Sequence, residues 1–223
     1  MDERVRRAGQ LYEQAVFTGT AEPLAEADRQ LDAAEADLAV ARGRNLHTRF
    51  LLRRDEDRAA ATEDPAELPL FERAAALYRA LGDVRGEGEA LFWVGCCYQV
   101  ARGDNETAVP VLERSLALAS RAGDKAVMAE ALRHLGIAAH TAGNLDEARQ
   151  RLEESTRLRR ETGQLAGAAA NMVGLAYIAA AQQRRDDALA ILGEAAALAG
   201  AAQAQRILDQ VSEAREAVSS PPR

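Results

Sequence analysis

Residues 130–155, EALRHLGIAAHTAGNLDEARQRLEES, set two histidines, His134 and His140, among small apolar residues and follow them with a dense run of charges. Two readings compete for this stretch: a reactive centre built on the histidines, or one unit of a repeat. The histidines lie six residues apart, so on a helix they point about 120° from each other, whereas two ligands on one helix sit three or four apart. One carboxylate, Glu130, stands four before His134, none stands three or four from His140, and no cysteine stands at that spacing from either. A metal pair is not expected, and the alternative is tested by looking for the same pattern elsewhere.

It recurs. The segments LFERAAALYRALGD, VLERSLALASRAGD, RLEESTRLRRETGQ and ILGEAAALAGAAQA begin at residues 70, 111, 151 and 191, so successive copies are 41, 40 and 40 residues apart. Leu77, Leu118, Leu158 and Leu198 coincide, and Gly82, Gly123 and Gly163 fall where each helix should end, glycine being suited to the left-handed residue after a helix. An earlier copy is read in LDAAEADLAVARG, with Leu38 and Gly43 in the matching places. Between these lie segments with an apolar residue four before a glycine, another one before it and a third element three after it: Leu91, Val94, Gly95 and Tyr98; Leu132, Leu135, Gly136 and Ala139; Ala170, Val173, Gly174 and Tyr177. At 3.6 residues per turn that spacing gives one narrow apolar stripe, and its glycine admits a neighbouring helix closely. Ala108, Ala148 and Ala188 open the helix that follows.

A Leu-x-x-Leu-Gly-x-x-Tyr helix alternating with an Ala-x-x-x-Leu-x-x-Ser/Ala helix resembles the tetratricopeptide repeat (TPR), in its long variant of about forty residues seen in kinesin light chain-like arrays. The resemblance implies an all-α fold, a right-handed superhelical solenoid of about five antiparallel helix pairs closed by a capping helix. One domain is expected over 1–218, with clear repeats at 70–200, divergent repeats at 1–69, a cap at 201–218 and a disordered tail at 219–223. Helices are expected at 2–17, 24–42, 44–57, 66–81, 86–101, 105–122, 126–142, 145–162, 166–182, 185–199 and 201–218, with residues 55–69 an enlarged loop.

Composition agrees with this architecture. Hydrophobic residues make up 48% of the 223-residue chain but aromatics only 4%, a balance that favours Ala- and Leu-rich helices packed on helices. The net charge of −7, with basic residues interleaved among acidic ones, argues against nucleic acid. The N-terminal segment is charged and amphipathic, and the longest apolar window, 166–181, is too short for a bilayer, so neither a secretory signal nor a membrane span is expected and a cytoplasmic protein is. Adjacent Cys96 and Cys97 point about 100° apart on a helix and read as reduced, unbridged residues. Phosphate-loop, nucleophile-elbow, H-E-x-x-H and dinucleotide fingerprints are all missing. No catalytic residue, metal or cofactor is expected.

In TPR arrays the first helix of each pair lines a concave groove. Carried over residue by residue, the resemblance places Phe92, Cys96 and Gln99, then Arg133, Ile137 and His140, then Asn171 and Leu175 on that face, with Trp93 and His134 at its edge. Phe92 and Trp93 are adjacent and cannot both belong to a narrow stripe; either one faces the groove, or both pack on the preceding pair beneath the 55–69 loop. The clamp that grips chaperone C-terminal carboxylates is missing, since Phe92, Arg133 and Asn171 stand where its lysine would and Cys96, Ile137 and Leu175 where its asparagine would. The expected function is therefore a non-enzymatic adaptor holding a protein or peptide in a mixed, more apolar groove. The alternative is a sensory module that binds a small peptide or metabolite and controls a separate effector, and an enzyme comes third. A homodimer through an exposed terminal stripe is compatible with the pattern.

Overall fold

The computed structural model describes residues 1–57 and 59–220 and is all-α, with no strand among the described residues. The chain divides into two compact units, Met1–Ala122 and Gly123 onward. The first unit holds α1 (Glu3–Thr18), α2 (Glu22–Glu56), α3 (Glu67–Leu81), α4 (Val84–Cys96) with a π-helical extension at Cys97–Ala101, and α5 (Asn105–Ala122). The second holds α6 (Lys125–Thr141), α7 (Leu145–Glu161), α8 (Leu165–Ala181), α9 (Arg185–Ala201) and α10 (Gln205–Ser219). Within each unit every helix packs on its sequence neighbour, the outcome expected of antiparallel helices joined by short turns.

The recurring residues make the pairs. Ala108, Leu112 and Ser115 of α5, Ala148, Leu152 and Ser155 of α7, and Ala188, Leu192 and Ala195 of α9 occupy one register and all are buried. A Cβ on Gly95 would sit 2.6 Å from the Leu112 side chain, and one on Gly136 3.0 Å from that of Leu152, so the stripe glycines do admit the next helix. The two serines extend the register with hydrogen bonds across the pair: Ser115 Oγ donates to the Gly88 carbonyl (2.7 Å) and Ser155 Oγ to that of Ala129 (2.6 Å). At the turns, Gly82, Gly123 and Gly163 have φ of 73°, 68° and 74°, the left-handed conformation expected at a helix end.

Two expectations need correction. The earlier copy of the repeat at residues 31–43 does not end a helix: α2 runs through Gly43 as a single 35-residue helix instead of the two expected at 24–42 and 44–57. Leu38 is 50% exposed, while Gly43 is buried because the Phe71 ring rests against it, 2.6 Å from where a Cβ would be. The glycine serves packing rather than termination. At the C-terminus, α9 runs to Ala201 and α10 covers 205–219, so Ser219, expected in the tail, is helical; residues 221–223 of that tail lie outside the described residues.

Candidate functional site

In the first unit the predicted groove residues are spent on packing. Phe92 and Cys96 are buried, which corrects their assignment to an open face. Trp93 lies parallel to Phe71 (ring centroids 5.6 Å, 12° between planes), edge-on to His47 (5.6 Å) and to Phe92 (5.0 Å), with the Arg44 guanidinium over its ring. Trp93 thus packs on the preceding helices, and Phe92 is buried with its ring against Trp93. Gln99 donates from Nε2 to Asn105 Oδ1 (2.9 Å), joining the π segment to the start of α5.

Beneath Trp93 lies a group that spacing did not reveal. His47 of α2, Glu67 at the start of α3 and Cys97 at the start of the π segment are all buried, Glu67 and Cys97 completely. His47 Nδ1 is 2.6 Å from Glu67 Oε1, and Cys97 Sγ donates to the same oxygen at 3.2 Å. Glu67 Oε2 has no hydrogen-bond partner among the described residues. Burial, and then the adjacent carboxylate, push the Cys97 thiol far above its ordinary value, so as a bare thiol it is inert. His47 and Cys97 stand 20 and 30 positions from Glu67, and only the continuity of α2 past Gly43 brings His47 here, so the two-helix reading hid the cluster.

The second unit is different. A cavity of about 280 Å³ opens beside α6, α8 and α10, lined by Arg133 and Ile137 from α6, Val173, Gly174 and Tyr177 from α8, and Glu213 from α10. Arg133 is positioned from behind: its Nη1 donates to Asn171 Oδ1 (2.8 Å), Asn171 Nδ2 donates to Ser155 Oγ (2.8 Å), and Ser155 donates to the Ala129 carbonyl. Asn171 is fully buried, so it holds Arg133 and does not itself meet a partner, a correction to its predicted place. Leu175 packs against Ala139, Leu152 and Ile178 rather than facing the cavity. His134 is half-buried and His140 exposed. On α8 the face that opens is thus the one carrying Ala170, Val173, Gly174 and Tyr177, expected to be the stacking stripe, and Tyr177 is 40% exposed.

Residues 90–161, which span α4 to α7, match the family model of the tetratricopeptide repeat. That segment carries tetratricopeptide repeats. The fold of the chain is similar to that of a Podosopora anserina protein solved as kinesin light chain nearly identical TPR-like repeats, with a TM-score of 0.51 at 16% identity over 80% of this chain and 99% of that one. A second crystal structure of those repeats, carrying one substitution in its own chain, matches equally, with a TM-score of 0.51 and 16% identity over 79% and 95% of the two chains. No curated protein sequence matches. The TPR family supports a protein-interaction scaffold in general, and no helix among the described residues is long and apolar enough to cross a membrane. The cavity is lined chiefly from α6 and α8, each the first helix of its pair, with α10 closing one side.

Proposed function

We propose that this chain is a non-enzymatic adaptor that binds a protein or peptide segment on the first-helix face of its second unit, at the cavity beside α6, α8 and α10. The cavity carries the reading. At about 280 Å³ it falls just under the 300–1,000 Å³ of dedicated small-molecule sites, which suits one or two side chains of a longer segment better than a whole metabolite. Its lining pairs an apolar floor, Ile137 and Val173, with an aromatic rim at Tyr177 and opposite charges at Arg133 and Glu213. Aromatic and arginine side chains dominate binding energy at protein surfaces, about 2 kcal/mol or more each once buried. The segment that fits has an apolar anchor flanked by an acidic group reaching Arg133. Tyr177 therefore takes the role that the sequence suggested for Phe92.

A random peptide display library selected on the wild-type protein, then compared on an Arg133→Ala/Tyr177→Ala double variant of equal helicity, tests the proposal. Enriched peptides should carry an acidic residue near an apolar one and lose at least about 30-fold in affinity on the double variant. Peptides that bind both proteins equally would move the site elsewhere, and a library that enriches nothing would remove the peptide-binding reading.

A further inference from the structure

The geometry points to a buried divalent-cation site of the zinc class in the first unit, held by His47 Nδ1, Glu67 and Cys97 Sγ. Three observations converge on it. The donor set is an imidazole nitrogen, a carboxylate and a sulfur, a mixture that suits Zn²⁺ and its borderline neighbours, while Mg²⁺ and Ca²⁺ prefer all-oxygen shells. The three donor atoms lie within 4.8 Å of one another, with two separations of 2.6 and 3.2 Å. Tetrahedral bonds of 2.0–2.3 Å require ligand atoms roughly 3.3–3.7 Å apart, so a rotamer-scale adjustment admits the ion. Finally, Glu67 Oε2 is a completely buried carboxylate oxygen with no partner among the described residues, a costly arrangement that a cation relieves as a second oxygen contact.

Charge balance favours the same assignment. A 2.6 Å contact between an imidazole nitrogen and a carboxylate oxygen contains one proton, and the thiol that donates to Glu67 carries a second. Zn²⁺ would displace those two protons, and neutral His47, the Glu67 carboxylate and the Cys97 thiolate then balance the dication. A shell whose charges cancel that of the ion suits a site closed to water, because no unpaired ion is left in it. The thiolate, disfavoured in the bare site, is the form that a bound cation holds. The π segment has a place in this arrangement. Its wider turn, with the Arg102 amide bonded to the Cys97 carbonyl five residues back, sets Cys97 at its first residue against α3. The bound ion would tie α2, α3 and the end of α4 at one point.

The test is expression of the full chain in cobalt-supplemented minimal medium, since Co²⁺ takes zinc sites and is visible. The expected result is one Co²⁺ per chain, visible d–d bands of tetrahedral intensity, a thiolate-to-cobalt charge-transfer band, and quenching of Trp93, the chain's one tryptophan, whose ring lies 5.6 Å from His47. Cys96→Ser should keep every signal. Cys97→Ser and Glu67→Gln should lower affinity by more than the 10–100-fold typical of removing a residue outside the ligand shell, with helicity checked by circular dichroism. Metal well below one per chain, a charge-transfer band that persists in Cys97→Ser, or one that disappears in Cys96→Ser each overturns the assignment. If Cys97→Ser fails to fold, the wild-type stoichiometry, Trp93 quenching and the Cys96→Ser spectrum decide alone.

Discussion

Helix α4 of the first unit and α6 of the second follow one pattern and differ in what lies between its fixed points. Both set a stripe glycine, Gly95 or Gly136, against a leucine of the following helix, and both accept a serine hydrogen bond from it. At the intervening positions, 41 residues apart, Phe92, Trp93 and Cys97 in α4 and its extension correspond to Arg133, His134 and Ala138 in α6. The bulky set closes the face of the first unit over a buried polar cluster. The smaller and more polar set leaves Arg133 at the edge of the cavity in the second unit. Recurring residues determine how a pair packs, and those that do not recur determine whether its exposed side is filled or left to receive something.

The comparison breaks most sharply at Phe71, the large, fully buried side chain that seats Trp93 and fills the space left by Gly43. Phe71→Ala should cost about 3–5 kcal/mol, read as a fall in the denaturant midpoint of Trp93 emission, which reports on the first unit alone. Gly43→Ala attacks the same contact from the other side; its methyl would meet the ring at 2.6 Å, and overpacking of this kind costs about 1–3 kcal/mol. A change under about 1 kcal/mol in both would mean that the aromatic stack is not what holds α2 and α3 together.

Where residues repeat, the sequence is a sound guide. Ala148 and Leu152 recur at forty residues and Gly136 at 41 and 38, and each is buried where the pattern puts it. It is a weaker guide where one residue type serves two purposes. Gly43 has the spacing of a helix end, but glycine is equally the residue that lets a ring approach a backbone, and only the position of Phe71 decides between them. Asn171 and Tyr177 exchange roles for a related reason: a polar residue looks as if it should face outward until Ser155 and Arg133 are seen to satisfy it inside. The His47, Glu67 and Cys97 cluster has no local spacing at all, being assembled by three separate elements.

The units also differ in their turns, which gives a second and smaller way to separate them. The first unit uses glycine at its left-handed turn positions Gly19, Gly82 and Gly103, whereas the second has Gln183 at φ 61° and Gln203 at φ 52° beside Gly143 and Gly163. The period demands the conformation whether or not the residue suits it. A left-handed backbone costs a side-chain-bearing residue about 1–2 kcal/mol, and glycine gives back about 0.5–1 kcal/mol through its greater freedom when unfolded. Gln183→Gly should therefore stabilise the protein by about 0.5–1 kcal/mol in urea titration followed by circular dichroism, with Gly143→Gln shifting it the other way. A loss on Gln183→Gly would mean that the glutamine side chain contributes more than its backbone strain costs.

The smallest effect is expected where the units are most alike, at the surface ion pairs that join neighbouring helices: Glu35 with Arg73 between α2 and α3, and Glu161 with Lys125 between α7 and α6. Glu161 lies 3.1 Å from Lys125 Nζ and also pairs with Arg157 one turn back; the Lys125 hydrogen bond first, then the charge of Arg157, hold its carboxyl below the usual 4.5. Because the folded form favours the carboxylate, its contribution is fully present above about pH 4.5 and disappears as pH falls through the lowered folded value. Glu161→Gln should accordingly be slightly less stable than wild type at neutral pH and indistinguishable from it once the wild-type carboxyl is protonated, with the neutral-pH difference narrowing in salt. A difference that survives at low pH would assign the effect to helix packing and not to charge, and the same titration on Glu35→Gln would show whether the two units share that behaviour.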